Sequence, residues 1–361
     1  MKSSKVILMK KLFALAIVLM IAVNESSAQD TKFSQYYTLM PAINPASTGA
    51  FGGDYRFLID YRRSNYSASV DAFNTVYASY DQGIAKYRSD GEDRQSYFGI
   101  GLSLLNDKAG TSSLGLMQIN ALLSYNLKMG EFSWLSLGTR IGYATRSVDY
   151  TNLTWGSQFN DADGSYDPSA FSDPLAQYEK ATYVPVSIGL IYNLSKIDKL
   201  KMNAGLALEN VNKPNAAFDG EVKEELPMKT NIHVGAEWMI PNTIMALMPH
   251  VLFTTGGHYS ETNFGVILKT YLSFDSKSTH IKKSSSLYTG IFYRTSKDLI
   301  LLMKFDLRRN IALGLSYDID LSAVSDPLSK KKRSALEFVI TYSSFFKERR
   351  LIPRKGSTEF F

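Results

Sequence analysis

The stretch Ile311–Ile319, IALGLSYDI, alternates large apolar side chains with small or polar ones. The large members are Ile311, Leu313, Leu315, Tyr317 and Ile319, and the others are Ala312, Gly314, Ser316 and Asp318. Because successive side chains of an extended strand point to opposite faces, this stretch predicts a strand with one apolar face. A soluble sandwich would bury that face, whereas a membrane barrel would turn it toward lipid and keep the small face for the lumen.

The same kind of pattern recurs along the chain and predicts about fourteen strands. They cover residues 54–62, 71–81, 96–106, 116–128, 132–145, 183–194, 200–211, 229–240, 247–255, 262–273, 286–294, 299–306, 310–319 and 334–346. Soluble strands average about 5–6 residues, whereas a tilted membrane strand needs about 9–11, and most of these stretches have the membrane length. No segment shows a sustained helical period. We therefore predict an all-β, antiparallel transmembrane β-barrel in the outer membrane, with a soluble sandwich as the alternative.

The N-terminus has the three parts of a secretion signal. Lys10 and Lys11 precede the apolar run Leu12–Val23, and small residues end at Ala28. This order predicts a signal peptide over residues 1–28. A membrane anchor is the alternative, but the run is shorter than the ~20 residues that a spanning helix needs. No later run approaches that length, so the exported chain can span a membrane only as a barrel.

The remaining chain divides into three parts. Pro41, Pro45 and Gly49 interrupt regular structure, so residues 29–53 are predicted to form an extended leader on the periplasmic side. Residues 54–346 form the barrel, and residues 347–361 form a basic C-terminal tail. The tail is either solvated or contacts acidic partners or phosphate-bearing lipid in the periplasm.

The net charge of the chain is +6, but the signal peptide and the tail hold all of it, +3 each. The barrel region between them is close to neutral. A nucleic-acid-binding protein would carry a basic face across its fold, so we expect no nucleic-acid partner.

Short motifs along the mature chain, taken in order, resemble those of the PorP/SprF family of the type IX secretion and gliding machinery. They include Phe33-Ser34-Gln35-Tyr36, Asn44-Pro45-Ala46 with Gly49, Tyr61-Arg62-Arg63, Asn106-Asp107, Asn212-Lys213-Pro214 and Gly314-Leu315-Ser316-Tyr317-Asp318. The family-motif residues singled out are Asn44, Pro45, Gly49, Asn106, Asp107, Pro214 and Asp318.

The resemblance implies a non-enzymatic outer-membrane barrel that helps to secrete, anchor or display a surface protein, such as an adhesin, that carries a C-terminal secretion domain. The implied partners are that secreted substrate, periplasmic type IX or peptidoglycan-linked components, and outer-membrane lipid. The resemblance implies no cofactor and no catalytic residue. Asp318 is expected to be a structural or rim residue near the outer end of its strand.

The alternative function is a passive channel, or a transporter of small solutes that resembles the fatty-acid porins. This alternative predicts an open lumen and solute flux. A barrel filled by its leader and its long loop would favour the secretion function instead.

The longest predicted connection, about residues 146–182, carries aromatic side chains. Exposed aromatics give a large contact area at low entropy cost, so this loop is a candidate cargo-binding surface. Its candidate residues are Trp155, Phe159, Tyr166, Asp167 and Phe171. The alternative is that the loop folds into the lumen and buries these rings.

The same connection contains a candidate calcium site. Asp161, Asp163 and Asp167 lie beside Gly164, and calcium prefers oxygen ligands of this kind. A solvated loop rich in turn-forming residues is the alternative.

Enzymatic activity is not predicted. The four histidines lack the spacing of metal ligands on one helix, and no Gly-x-Ser-x-Gly elbow is present. No cofactor is expected.

Overall fold

The computed structural model describes residues 32–66, 73–84, 86, 96–109, 114–148, 158–160, 164–167, 180–196, 200–218, 223–257, 259–273, 284–307, 310–321 and 333–344. Long strands dominate these ranges. They are β1 (Tyr55–Tyr66), β2 (Phe73–Ile84), β3 (Ser96–Ala109), β4 (Leu114–Lys128), β5 (Ser133–Ser147), β9 (Val186–Lys196), β10 (Leu200–Glu209), β11 (Lys229–Met239), β12 (Met245–Gly256), β13 (Tyr259–Ser273), β14 (Ser285–Arg294), β15 (Asp298–Leu307), β16 (Ile311–Asp320) and β17 (Arg333–Ser344). Three short strands lie outside this set, namely β6 (Phe159–Asn160), β7 (Ser165–Tyr166) and β8 (Lys180–Tyr183).

The long strands close into one antiparallel barrel. Each pairs with its neighbour in the chain, with β5 followed by β9, and β1 pairs with β17 to complete the ring. The closing register places Tyr55 opposite Ser344 and Ile59 opposite Ile340. The predicted fold, a 14-stranded outer-membrane type of barrel, is confirmed.

The two faces of each strand are oriented as the sequence predicts. On β16, Leu313, Leu315 and Tyr317 are exposed on the outer surface, whereas Ser316 and Asp318 are buried in the lumen. Large apolar side chains of the other strands are exposed in the same way. This apolar surface suits contact with hydrocarbon. In the part of the chain that the structure describes, no helix combines the length and apolar character needed to cross a bilayer.

The two ends of the barrel differ in the length of their connections. Residues 148–185 and 210–228 both connect strands at the end opposite the start of β1. Short connections such as 129–132 and 240–244 lie at the other end. Outer-membrane barrels have long outer loops and short periplasmic turns. We therefore assign the end with the long connections as the outer end and the end with the short connections as the periplasmic end.

Residues 32–53, which we call the plug, run through the lumen from the outer end to the periplasmic end. Lys32 forms an ion pair with Glu261 near the outer start of β13. At the other end, the backbone N–H of Asp54 donates to the carbonyl of Ser344, and β1 begins one residue later. The structure thus differs from the predicted extended leader outside the barrel.

The plug contains a short helix and a helical turn instead of extended chain. Helix α1 covers Met40–Ile43, and a 3₁₀ turn covers Pro45–Ser47. Pro41 and Pro45 lie in the first turn of these two elements, where a missing N–H costs nothing. The same prolines that exclude a strand therefore begin the helical turns.

An aromatic cluster holds the first part of the plug against the barrel wall. Tyr37 stacks on Phe292 with ring centroids 6.0 Å apart, and Tyr36 meets the same ring edge-on at 6.0 Å. Phe33 meets Tyr77 edge-on at 5.8 Å. All five side chains are buried. Burying an aromatic side chain contributes roughly 1.5–3 kcal/mol, so this cluster is a major source of the affinity between plug and barrel.

Candidate functional site: the plugged lumen and the outer rim

Glycines on the lumen face make room for the plug. A Cβ on Gly138 would lie 2.4 Å from the backbone nitrogen of Ala46. A Cβ on Gly314 would lie 2.1 Å from the Oε1 of Gln35. Both distances are shorter than a real carbon contact, so the plug fits because these positions lack side chains. The small face that the sequence analysis assigns to the lumen is therefore covered by a segment of the same chain.

Near the outer end, buried charges hold the start of the plug. We call this group the latch, and it consists of Ser34, Gln35, Arg62, Arg294, Asp318 and Glu337. Glu337 accepts hydrogen bonds from the backbone N–H groups of Ser34 and Gln35, each at 2.7 Å. The guanidinium of Arg62 lies 3.0 Å from the same carboxylate. The carboxylate of a barrel strand thus binds the backbone of the plug directly.

Asp318 is the second acidic residue of the latch. Its Oδ1 accepts a hydrogen bond from the hydroxyl of Ser34 at 2.6 Å. Its Oδ2 lies 2.7 Å from Arg62 and 3.2 Å from Arg294. All four side chains are buried, and removal of one partner from a buried ion pair costs about 3–5 kcal/mol. The latch therefore couples the plug to strands from both ends of the chain.

Asn44 fixes the middle of the plug. Its Oδ1 accepts a hydrogen bond from the N–H of Ala46 at 3.0 Å, which caps the 3₁₀ turn that begins at Pro45. Its Nδ2 donates to the carbonyl oxygens of Leu190 at 3.1 Å and Leu206 at 3.2 Å. One side chain thus shapes the plug and joins it to β9 and β10.

Gly49 forms the lower attachment of the plug. Its φ is +70°, a left-handed conformation that favours glycine, and a Cβ would lie 2.9 Å from the carbonyl oxygen of Gln82. Its N–H donates to Asp81 Oδ2 at 2.7 Å, and Asp81 is bound in turn by Arg56 at 2.9 and 3.0 Å. Four of the family-motif residues, Asn44, Pro45, Gly49 and Asp318, therefore belong to the plug or to its attachments.

The other family-motif residues lie elsewhere. Asn106 and Asp107 are half-buried on β3, where Asp107 accepts a 2.6 Å hydrogen bond from the hydroxyl of Thr75. Pro214 is buried in the outer connection between β10 and β11, and its carbonyl accepts the N–H of Leu226 at 3.0 Å. These three residues stabilise the wall and the outer connection.

The barrel wall continues beyond the ring at the outer end. Strand β8 pairs with residues 144–147 of β5, and the connection at 210–218 folds beside it. Asn212 accepts a hydrogen bond from Val186 N at 3.0 Å and donates one to Val184 O at 2.7 Å. Residues 144–147, 180–186 and 210–218 form what we call the outer rim.

A small hairpin, β6 with β7, carries part of the predicted cargo-binding set. Phe159 is 52% exposed and pairs in register with Tyr166. Asp167 is exposed, and its N–H donates to the carbonyl of Gln158 at 2.8 Å. Trp155 and Phe171 lie outside the described residues. Cargo binding by these five residues stays a prediction.

The calcium prediction also concerns this connection. Asp161 and Asp163 lie outside the described ranges, and Asp167 is the remaining candidate. Among the residues that the structure describes, no group of three His, Asp or Glu side chains could hold a metal ion.

In the neighbouring outer connection, hydrogen bonding and charge from Lys223, 2.6 Å away, lower the pKa of Glu225.

No functional role was predicted for Glu337, which is the central acceptor of the latch. Glu337 lies at an inward position of a strand whose outward residues are apolar. A carboxylate at such a position must find a partner within the barrel, because burying an unpaired charge is costly. Arg62 lies opposite Glu337 in the β1–β17 pairing. An inward carboxylate opposite an inward arginine is the sequence signal that points to a buried ion pair.

A closed barrel with an apolar outer surface and a polar lumen defines the protein as an outer-membrane β-barrel. The chain belongs to the family described as type IX secretion system membrane protein PorP/SprF, which matches residues 25–342. This match confirms the family resemblance. No match was found among the curated proteins.

Similar solved structures are also outer-membrane proteins. The toluene transporter TodX of P. putida is 10% identical over 85% of this chain and 93% of that chain, with a TM-score of 0.48. A FadL homologue from Pseudomonas aeruginosa is 10% identical over 83% of this chain and 92% of that chain, with a TM-score of 0.41.

Proposed function

We propose that this protein is a non-enzymatic accessory barrel of type IX secretion that helps to secrete, anchor or display a surface protein carrying a C-terminal secretion domain. Family membership supports a role in this secretion system. The observation that favours an accessory over a passive channel is the plug, which occupies the lumen from Lys32 to Gly53 and is buried along most of that length.

The plug disfavours the alternative of a passive channel or fatty-acid-porin-like transporter. That alternative needs an open path along the lumen, whereas Tyr36 and Tyr37 occupy the lumen and pack against Phe292 of the wall. Attachments at Ser34, Asn44 and Gly49 distribute the contacts along the lumen. Solute flux would therefore require displacement of a segment held at several independent places.

We place cargo contact at the outer end. The candidate residues are Trp155, Phe159, Tyr166, Asp167 and Phe171. The outer rim supports this choice because Asn212 and the packing of Ala216 against Tyr183 fix the end of the connection that also contains the hairpin. A preorganised surface loses less entropy on binding, so a rim of this kind is suited to hold a folded cargo domain.

We place contacts with periplasmic type IX or peptidoglycan-linked components at the opposite end. The candidates there are the short turns and the basic tail at residues 347–361. A basic tail would be attracted to acidic partners through charge complementarity.

Purification from native membranes tests this proposal. The protein is extracted in mild detergent through a tag, and co-purifying proteins are identified by mass spectrometry. We expect recovery of a surface protein with a C-terminal secretion domain, and loss of that protein when Phe159 and Asp167 are both replaced by alanine. Lys223→Ala, in the other outer connection, is the matched control and should retain it. Absence of any such protein from the wild-type preparation would count against the proposal.

A further inference from the structure

The plug leaves a cavity in the periplasmic half of the lumen. The cavity has a volume of about 230 Å³. One wall is formed by the periplasmic ends of the strands from β10 to β17, and the ceiling is formed by Tyr36, Tyr37 and Met40 of the plug. Lower plug residues pack along the opposite side, where Gly49 meets β2 and Ala46 meets β5. The cavity is therefore bounded by plug and barrel together.

The wall of this cavity carries more positive than negative charge. Lys201, Lys269 and Lys304 line it with the carboxylates Glu237 and Asp306, so these groups sum to 3 − 2 = +1. Arg56 also lines the cavity, but Asp81 balances its charge. An excess positive charge between low-dielectric walls attracts anions, since the field is concentrated there.

The two central ammonium groups flank one aromatic ring, because Tyr288 pairs with Lys269 on one neighbouring strand and with Lys304 on the other. Lys269 Nζ and Lys304 Nζ lie 5.4 Å and 4.9 Å from the centroid of the same ring, that of Tyr288. Lys269 also lies 3.1 Å from Glu237, and Lys304 lies 3.7 Å from Asp306. The acidic neighbours thus hold each ammonium in place, and each ammonium has three donors, so further acceptors can bind.

Two other polar groups of the lining have unused hydrogen-bonding capacity. Within the described residues, His250 Nε2 and Thr341 Oγ1 are buried and have no hydrogen-bond partner. Both residues line the cavity, and His250 is 9% exposed. A buried polar atom without a partner carries a desolvation cost of about 1–3 kcal/mol. A carboxylate that reaches these groups would relieve it, because the Thr341 hydroxyl and the Nε2–H tautomer of His250 can both donate.

We propose that this cavity binds a pair of carboxylates that enter from the periplasmic end, one at Lys269 and one at Lys304. A free small dicarboxylic acid and two neighbouring acidic side chains of a periplasmic peptide share this chemistry. The basic tail of this chain fits poorly because residues 347–361 carry five Lys or Arg and two Glu. The proposal stands on the cavity alone and is independent of the proposed role in secretion.

Binding to the purified full-length protein in detergent, measured by calorimetry, tests the proposal with three probes. They are glutarate, an acidic peptide capped at both ends (Gly-Glu-Glu-Gly), and the neutral peptide Gly-Gln-Gln-Gly with the same caps. We expect saturable binding of at least one carboxylate probe and none of the neutral peptide. Binding of glutarate would identify free acids as ligands, whereas binding of the acidic peptide alone would identify a peptide.

Matched variants locate the site. Lys269→Gln and Lys304→Gln should each weaken binding about tenfold or more, because each removes a charge-assisted hydrogen bond. Lys304→Arg keeps the charge and should bind within about threefold of wild type, and Lys223→Gln at the outer end should leave binding unchanged. Heat-modifiability on gels checks that each barrel is folded. The proposal is overturned if no carboxylate probe saturates, or if folded Lys269→Gln and Lys304→Gln bind as tightly as wild type.

Discussion

Replacing Glu337 with glutamine should release the outer end of the plug while leaving the barrel closed. The wild-type carboxylate is fully buried and accepts from two plug N–H groups, at Ser34 and Gln35, and from Arg62. Glutamine has nearly the same shape but only one acceptor oxygen. The NH₂ group of glutamine, which replaces the second oxygen, would face one of the three donors and cannot accept from it. At least one of the three hydrogen bonds to position 337 is therefore lost.

The expected magnitude follows from these contacts. Removing one partner from a buried ion pair costs about 3–5 kcal/mol. Asp318 still lies 2.7 Å from Arg62 and compensates its charge, so the lower end, about 3 kcal/mol, applies. Since about 1.4 kcal/mol is a factor of ten in an equilibrium constant, opening of the plug at Ser34 and Gln35 should become roughly 100-fold more frequent.

Hydrogen exchange followed by mass spectrometry measures this opening. Peptides that cover residues 33–40 should exchange roughly 100-fold faster in Glu337→Gln, whereas peptides from β3 and β4 should be unchanged. Asp107→Asn is the matched control, because its carboxylate accepts from Thr75 on the barrel wall. Unchanged exchange at residues 33–40, or an equal increase in every strand, would refute the role of Glu337 as a latch.

Three further substitutions test the lipid face, the plug path and the outer rim. Leu313→Arg should lower the free energy of unfolding by about 2–4 kcal/mol, measured by urea titration of the protein in lipid vesicles. The lumen-facing variant Ala312→Arg should lower it by less. The opposite order would mean that the two faces are assigned the wrong way round. Gly138→Ala places a Cβ 2.4 Å from the plug backbone, so protease should cut the plug faster than in the turn variant Gly130→Ala. Asn212→Ala removes two hydrogen bonds, each worth about 1 kcal/mol, and should speed exchange at residues 184–186 while leaving the barrel strands unchanged.

The barrel was predictable because its signal is local. In IALGLSYDI the period of two assigns every residue to a face, and the structure confirms that Leu313 faces outward and Ser316 inward. The same period recurs in several other strands, so the strand count follows from local patterns, without knowledge of distant contacts.

The position of the leader was not predictable in this way, because its contacts are non-local. Ser34 and Glu337 are 303 positions apart, and nothing in the residues around either one identifies the other. Pro41 and Pro45 correctly excluded a strand, but they fit a helical turn inside the lumen as well as an extended segment outside it. Burial by the barrel, which the local sequence does not encode, decides between these conformations.

Asp318 and the hairpin residues show how far the functional residues could be predicted from the sequence. Asp318 was expected to be structural because it ends an alternating strand, and it lies in the latch beside Arg62. Phe159 and Asp167 were chosen by composition alone, and their exposure on a hairpin is compatible with cargo contact without testing it. A binding surface depends on its partner, so its residues cannot be derived from one chain's periodicity.

We propose that this plugged barrel serves secretion of surface proteins and is not a route for solutes. Deletion of its gene, followed by quantitative proteomics of the cell surface and by solute-uptake assays on the same cells, tests that claim most directly. We predict the loss of one or a few surface proteins with C-terminal secretion domains, restored by complementation, while general permeability stays normal. Unchanged surface proteins together with lost uptake of a solute would contradict the claim.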